Sequence, residues 1–291
     1  MDRFKLKVLM IIFMLLDHIA TFFDGAPFWF HYVGRVVMPV FFYLLVEGYF
    51  KTSSKTNYLK RLLVASEIMF LGNAIISIAL LKGVNGSNLS YGDFGLVAYL
   101  SFIGVIILSG ILIYLSVKDK VISDKKASIY IFLMLVTSLG LSHAFQSKVY
   151  ILPNNIFISM VAGFVMLNGM VQFRTKNYKS AFVKVLVAVS LGIASESLII
   201  GPAFVFIFYK CFNNRRDMYL AIFVFSALFF PGFNIQALLT YPLWMMVFTI
   251  PVIYIYNGKK GRDLRWLFYI FYPAHLWILF LLANFIKWYF K

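Results

Sequence analysis

Asp17 and His18 stand side by side inside the apolar stretch MLLDHIATFF, and Arg35, His143, Glu196 and His275 interrupt other apolar stretches of the same chain. An imidazole with an ordinary pKa of about 6.5 is suited to take and return a proton near neutral pH. A carboxylate beside it can fix its tautomer, and a guanidinium can face a developing oxyanion or hold an acidic group. Glu47, in LLVEGYF, and Glu67 add two carboxylates, and Tyr272 precedes His275 by one helical turn. These are the groups of general acid–base chemistry. They are not read as a metal set, and the lone Cys211 excludes internal disulfides and speaks against a cysteine-ligated metal. Each also has a structural reading. Arg35 could be a snorkelling anchor, His31 and His143 could bond carbonyls near the headgroups, and Glu47 could pair with Lys51 or Lys55.

The elements that hold these residues follow from composition. Hydrophobic residues make up 62% of the chain and charged residues 13%, against roughly 25% charged in a soluble domain. Apolar runs of about 20 residues, the length that crosses a bilayer core of roughly 30 Å, recur throughout. The expected fold is an all-α, polytopic transmembrane helical bundle of about 10 to 11 spans in a single domain, residues 1–291. The spans run 6–23, 33–50, 62–81, 96–117, 127–145, 154–173, 181–194, 197–212, 218–231, 237–256 and 266–286, with kinks or breaks expected at Gly201, Pro202 and Pro231.

Charge sets the orientation. With the N-terminus cytoplasmic, 22 of the 27 basic residues fall in cytoplasmic segments, Lys184 counted with its neighbouring loop. This is the positive-inside pattern. The net charge of +16 is spread over short segments such as KTSSKTNYLKR and GKKGRDLR, so no nucleic-acid partner is expected and the surroundings are membrane lipid. On this topology His18 lies about 8 Å below the outer end of its helix at 1.5 Å per residue. Arg35 enters from the same side, His143 and Glu196 fall near outer ends, and His275 is about midway along the last span. An ionisable group at such depth costs on the order of 2.5–3.5 kcal/mol to insert, which makes each a functional candidate. Neighbouring helical positions point about 100° apart, so Asp17 and His18 face different partners.

Three blocks carry a family resemblance: MLLDHIATFF, VGRVVMPVFFYLLVEGYFKTSSKTNYLKRLLVASEI and YNGKKGRDLRWLFYIFYPAHLWILFLL. They resemble the signature segments of the TraX-type integral-membrane acetyltransferases, relatives of the broader membrane acyltransferases. NNIFISMVAGFVMLNGM is similar to the family's Asn-containing sixth segment, and ASESLIIGPAFVFIFY stands where an Asp-Tyr-Gly type motif is expected, with Glu196 in the acidic role. The resemblance implies transfer of an acetyl group from cytoplasmic acetyl-CoA to an amine or hydroxyl of a peptide, protein N-terminus, glycan or lipid at the extracytoplasmic face. It also implies a multi-pass protein of the bacterial cytoplasmic membrane. The family's founding activity, N-terminal acetylation of a pilin subunit, carries over as a reaction and not as a substrate.

On the matching motifs Asp17, His18, Arg35 and His275 are the expected catalytic positions. Glu47, Glu67, Asn155, Glu196 and Tyr272 are expected to bind the acceptor or CoA. In that scheme His18 is the base, Asp17 or another carboxylate sets its tautomer, and His275 and Tyr272 line the route of the pantetheine arm. Arg35 binds the oxyanion or an acidic part of the acceptor, and the basic inner loops face the nucleotide phosphates. Direct transfer and an acetyl-histidine intermediate both remain open. The rival reading is a small-molecule or lipid transporter or flippase, whose ionisable groups would cluster near mid-membrane between inverted repeats.

Overall fold

The computed structural model describes residues 1–81, 90–93, 95–118, 125–126, 128–130, 132–133, 155–193, 195–262 and 265–289. His143 and most of the span expected at 127–145 lie outside the described residues. The chain is all-α, and no strand occurs among the described residues. The segments Phe30–Lys51, Leu96–Leu115, Ile156–Arg174 and Trp266–Lys287 are long and apolar enough to cross a membrane. The chain is a helical membrane protein. It divides into two compact units, residues 1–47 with 200–291, and residues 48–199.

The first unit opens with α1, Arg3–Phe22, capped by the Asp2 carboxylate, which accepts from Lys5 N at 2.8 Å. Leu6, Met10, Met14 and His18 recur every fourth residue and form its buried stripe. His18 is therefore delivered to the interior, while Asp17 is turned about 100° away. The expected span 33–50 is two helices, α2, Phe30–Gly34, and α3, Val37–Lys51. Pro39 causes the division: it has no N–H to offer Arg35 O, and its ring collides with that carbonyl in a continuous helix. The chain passes the break in tight turns, Arg35 N donating to Tyr32 O and Val36 N to Val33 O, both at 3.3 Å.

Helices α8, Ile200–Lys210, and α9, Arg215–Ala227, follow (α4 to α7 belong to the second unit). Gly201 and Pro202, expected as a kink, fall in the first turn of α8, where a missing N–H costs nothing. The expected helix 237–256 is instead α10, Ile235–Thr240, a 3-10 turn Pro242–Phe248 and α11, Thr249–Tyr254. Pro242 opens the 3-10 turn and Pro251 falls in the first turn of α11, because neither can continue the piece before it. The last helix, α12, Arg265–Tyr289, contains Pro273 and packs against α1. Phe204 stacks on Phe208 at 5.6 Å and Phe41 meets Phe268 at 4.4 Å in this unit's core.

The second unit holds α4, Lys55–Ala79, α5, Leu96–Lys118, α6, Ile156–Arg174, and α7, Tyr178–Ile193. Helix α6 is apolar around its whole circumference and correspondingly buried. It lies against α7 closely enough that a Cβ on Gly169 would stand 3.2 Å from Ala181 O. Helix α5 by contrast exposes Leu96, Val97, Leu100, Ile103, Ile107 and Ile111. So extended an apolar face suits lipid and not water.

Candidate functional site

The first unit brings His18 of α1 to His275 of α12, with Nδ1 of His18 2.7 Å from Nε2 of His275. Both imidazoles are buried, as is Tyr272, whose ring meets each of them edge-on. His275 Nδ1 lies 2.8 Å from Phe271 O, and its ring stacks on Phe271 at 4.7 Å. A carbonyl only accepts, so His275 Nδ1 bears the hydrogen, and Nε2 of the neutral ring is then an acceptor. His18 Nδ1 must donate to it, which leaves the lone pair on His18 Nε2. The sequence Phe271 O, His275, His18 thus fixes both tautomers through hydrogen bonds alone.

Asp17 takes no part in that chain. It turns to the other side, where its carboxylate accepts from Arg35 Nη2 at 3.0 and 2.9 Å and from His31 Nδ1 at 2.6 Å. Arg35 Nε donates in turn to His31 O at 3.1 Å. The partner that orients His18 is therefore His275 and not a carboxylate. Adjacent helical positions cannot serve one neighbour, and here α2 takes Asp17 while α12 takes His18. Gly34 makes the clasp feasible: a Cβ there would fall 2.3 Å from Asp17 Cγ and 2.4 Å from Oδ2. His18 lies within electrostatic reach of both Arg35 and His31, so the clasp and the histidine pair are neighbours.

A second cluster lies at the start of α1. Glu47 is buried, and Arg3 Nη2 donates to its Oε2 at 2.6 Å and Tyr256 Oη to the same oxygen at 2.8 Å. Its expected partner was Lys51 or Lys55; the structure supplies Arg3 and Tyr256, which are 44 and 209 residues away in the sequence. Burial pushes the Tyr256 hydroxyl up to about 12, Arg3 opposing and Glu47 reinforcing the shift. It therefore remains a donor to the carboxylate. Backbone bonds from Arg3 N to Lys259 O and from Asn257 N to Met1 O tie the same end to the basic loop GKKGR, with Lys259 and Arg262 exposed.

The remaining expected site residues belong to the second unit. Asn155 caps α6, with Oδ1 accepting from Ile158 N at 3.4 Å and Nδ2 donating to Ser66 O at 3.0 Å. Glu67 is buried on α4. Glu196 is exposed in the turn after α7, where Ser195 and Ser197 bond with Ser159 and Leu198 has a positive φ of 47°. His31 and Gly34 were not singled out as site residues by sequence, although His31 stands one helical turn before Arg35 and Gly34 directly before it. Arg3 and Tyr256 offered no such signal.

A family model, TraX protein, matches residues 2–71 and 128–283. The probable fimbrial assembly protein FimC, serogroup H1, of Dichelobacter nodosus is 41% identical over 66 residues, covering 21% of this chain and 27% of that protein. The similarity thus spans well under two thirds of the relative's length. No solved structure matches. The chain belongs to the TraX protein family.

Proposed function

We propose that this protein is a membrane-embedded acetyltransferase that moves an acetyl group from acetyl-CoA, supplied on the cytoplasmic side, to an amine or hydroxyl of an acceptor at the outer face. Its place on this reading is the bacterial cytoplasmic membrane, with the N-terminus inside. One observation carries the reading: the His18–His275–Phe271 chain leaves a buried imidazole nitrogen, His18 Nε2, with its lone pair available. His18 Nε2 takes the acceptor's proton as the acceptor nitrogen or oxygen bonds to the thioester carbon. The resulting intermediate collapses with cleavage of the carbon–sulfur bond, and the CoA thiolate takes the proton back from His18. While His18 is cationic, its bond to His275 Nε2 is charge-assisted and therefore stronger.

Arg35 faces the developing oxyanion in this scheme. Two of its nitrogens are held by Asp17 and His31, and no described residue accepts from Nη1. Asp17 then positions Arg35 and has no contact with the reacting atoms. His18 follows Arg3 by fifteen residues on α1, or about 22 Å of helix. The basic loop at 257–262 and the histidine pair accordingly lie near opposite ends of this helix, as a donor entering from one face and an acceptor from the other require. Membership in the TraX family supports the reaction class, and the name of the D. nodosus protein makes fimbrial subunits one acceptor to test first. The test is mass spectrometry of surface proteins, lipids and glycans from cells with and without the gene. Loss of one acetyl group from a defined molecule supports the proposal; identical acetylation in both strains refutes it.

A further inference from the structure

The second unit contains a carboxyl group that the mechanism above does not use. Glu67 on α4 is 3% exposed, and neither of its oxygens has a hydrogen-bond partner among the described residues. Among the described residues the one side chain that acts on it is Ser109 of α5. Its hydroxyl is close enough to act on Glu67, yet it is itself fully buried and makes no hydrogen bond of ordinary geometry. Asn155, which bonds to the adjoining Ser66, and Arg61 of the same helix are engaged elsewhere. Asn155 spends its amide on Ser66 and its carbonyl on Ile158 N, and Arg61 lies over the Tyr58 ring. Among the described residues of α4 and of α5 and α6 packed against it, no charged group acts on Glu67.

An ionised carboxylate needs several donors or a counter-charge when it leaves water, and the described residues supply one hydroxyl. A metal cation does not answer the need, since no group of three or more His, Cys, Asp or Glu placed to hold a metal ion occurs among the described residues. A proton does. It removes the charge, which a single serine hydroxyl cannot offset, and lets the carboxyl itself donate while Ser109 Oγ accepts. We propose that Glu67 is a proton-binding site of the second unit, its carboxyl carrying a proton at neutral pH and donating to Ser109 Oγ. A glutamine would fill the same space without titrating. The acid adds the capacity to release a proton, and release places an uncompensated charge between α4 and α5. Proton uptake thus favours the close packing of these helices, and proton loss favours an arrangement that admits water or a cation.

The site is independent of acetyl transfer and is tested without it, by infrared spectroscopy of the whole protein in lipid bilayers across a pH series. At pH 7 the wild type should show the carbonyl stretch of one buried carboxylic acid that Glu67→Gln lacks, and alkali should convert it to the carboxylate band. Ser109→Ala, which removes the acceptor, should move the acid band to higher frequency. Glu67→Gln should unfold at the same temperature as wild type at pH 6 and at a higher one at pH 9. Superimposable wild-type and Glu67→Gln spectra at pH 7, or a band unmoved by Ser109→Ala, overturn the proposal. Should Glu67→Gln fail to fold, the wild-type titration and the Ser109→Ala shift decide it.

Discussion

Adding one methyl group at Gly34 should dismantle the Asp17 clasp. In Gly34→Ala the new Cβ lies 2.3 Å from Asp17 Cγ, whereas non-bonded carbons rest about 3.5–4.0 Å apart. Either α2 recedes from α1 by more than about 1 Å or the Asp17 side chain swings away. Overpacking of this kind costs roughly 1–3 kcal/mol. Either response also stretches the bonds from Arg35 and His31, whose worth of about 1.5–3 kcal/mol each when buried falls here because Asp17 is part-exposed. The expected loss is about 2–4 kcal/mol, or roughly 5–10 °C in unfolding temperature for a chain of this size. Thermal unfolding of the detergent-solubilised protein measures it. Repeating the substitution in an Asp17→Gly background, where the obstructing atoms are gone, should recover at least about 1 kcal/mol of the loss. A change within about 0.5 kcal/mol, typical of a surface position, or full additivity of the two substitutions would refute the close approach on which the clasp depends.

Three other outcomes follow from the same contacts. Glu47→Ala leaves the Arg3 guanidinium without its carboxylate and, since Arg3 is 22% exposed, should cost about 3 kcal/mol, the low end for a buried pair, with Glu47→Gln costing clearly less; denaturant unfolding separates the two. Because Tyr256 is pushed up to about 12 in the folded protein from about 10 when unfolded, the folded state holds its proton more tightly. Stability should therefore fall between pH 10 and 12, and Tyr256→Phe should flatten that fall in unfolding temperatures. Asp17→Asn, which keeps shape but weakens the hold on Arg35, should lower acetyl transfer by about tenfold to a hundredfold with little change in the KM for acetyl-CoA, measured on membranes.

The sequence made the helices readable because apolar length is nearly all that a membrane helix requires. Residues 6–22, 156–173 and 266–286 are helical as expected. It was weaker where proline decides, since Pro39 divides a run that hydropathy alone reads as continuous, and Pro242 and Pro251 break another into three pieces. The turning apart of Asp17 and His18 was legible from the helical period. The identity of their partners was not: His275 is 257 residues from His18, and counting depth along separate helices gave no register between them. His31 was read mainly as a headgroup contact because a histidine near a helix end usually is one. What makes it different is the close approach at Gly34, and that is visible only once α1 and α2 are packed.

The catalytic role of His18 is the centre of the account, and transfer of radiolabelled acetyl from acetyl-CoA in isolated membranes tests it most directly. With protein levels and insertion matched, His18→Ala should lower labelling of the acceptor by roughly 10²–10⁴-fold, and His275→Ala, which frees the His18 tautomer, by a smaller factor. Labelling of the acceptor at the wild-type rate in His18→Ala membranes would contradict it.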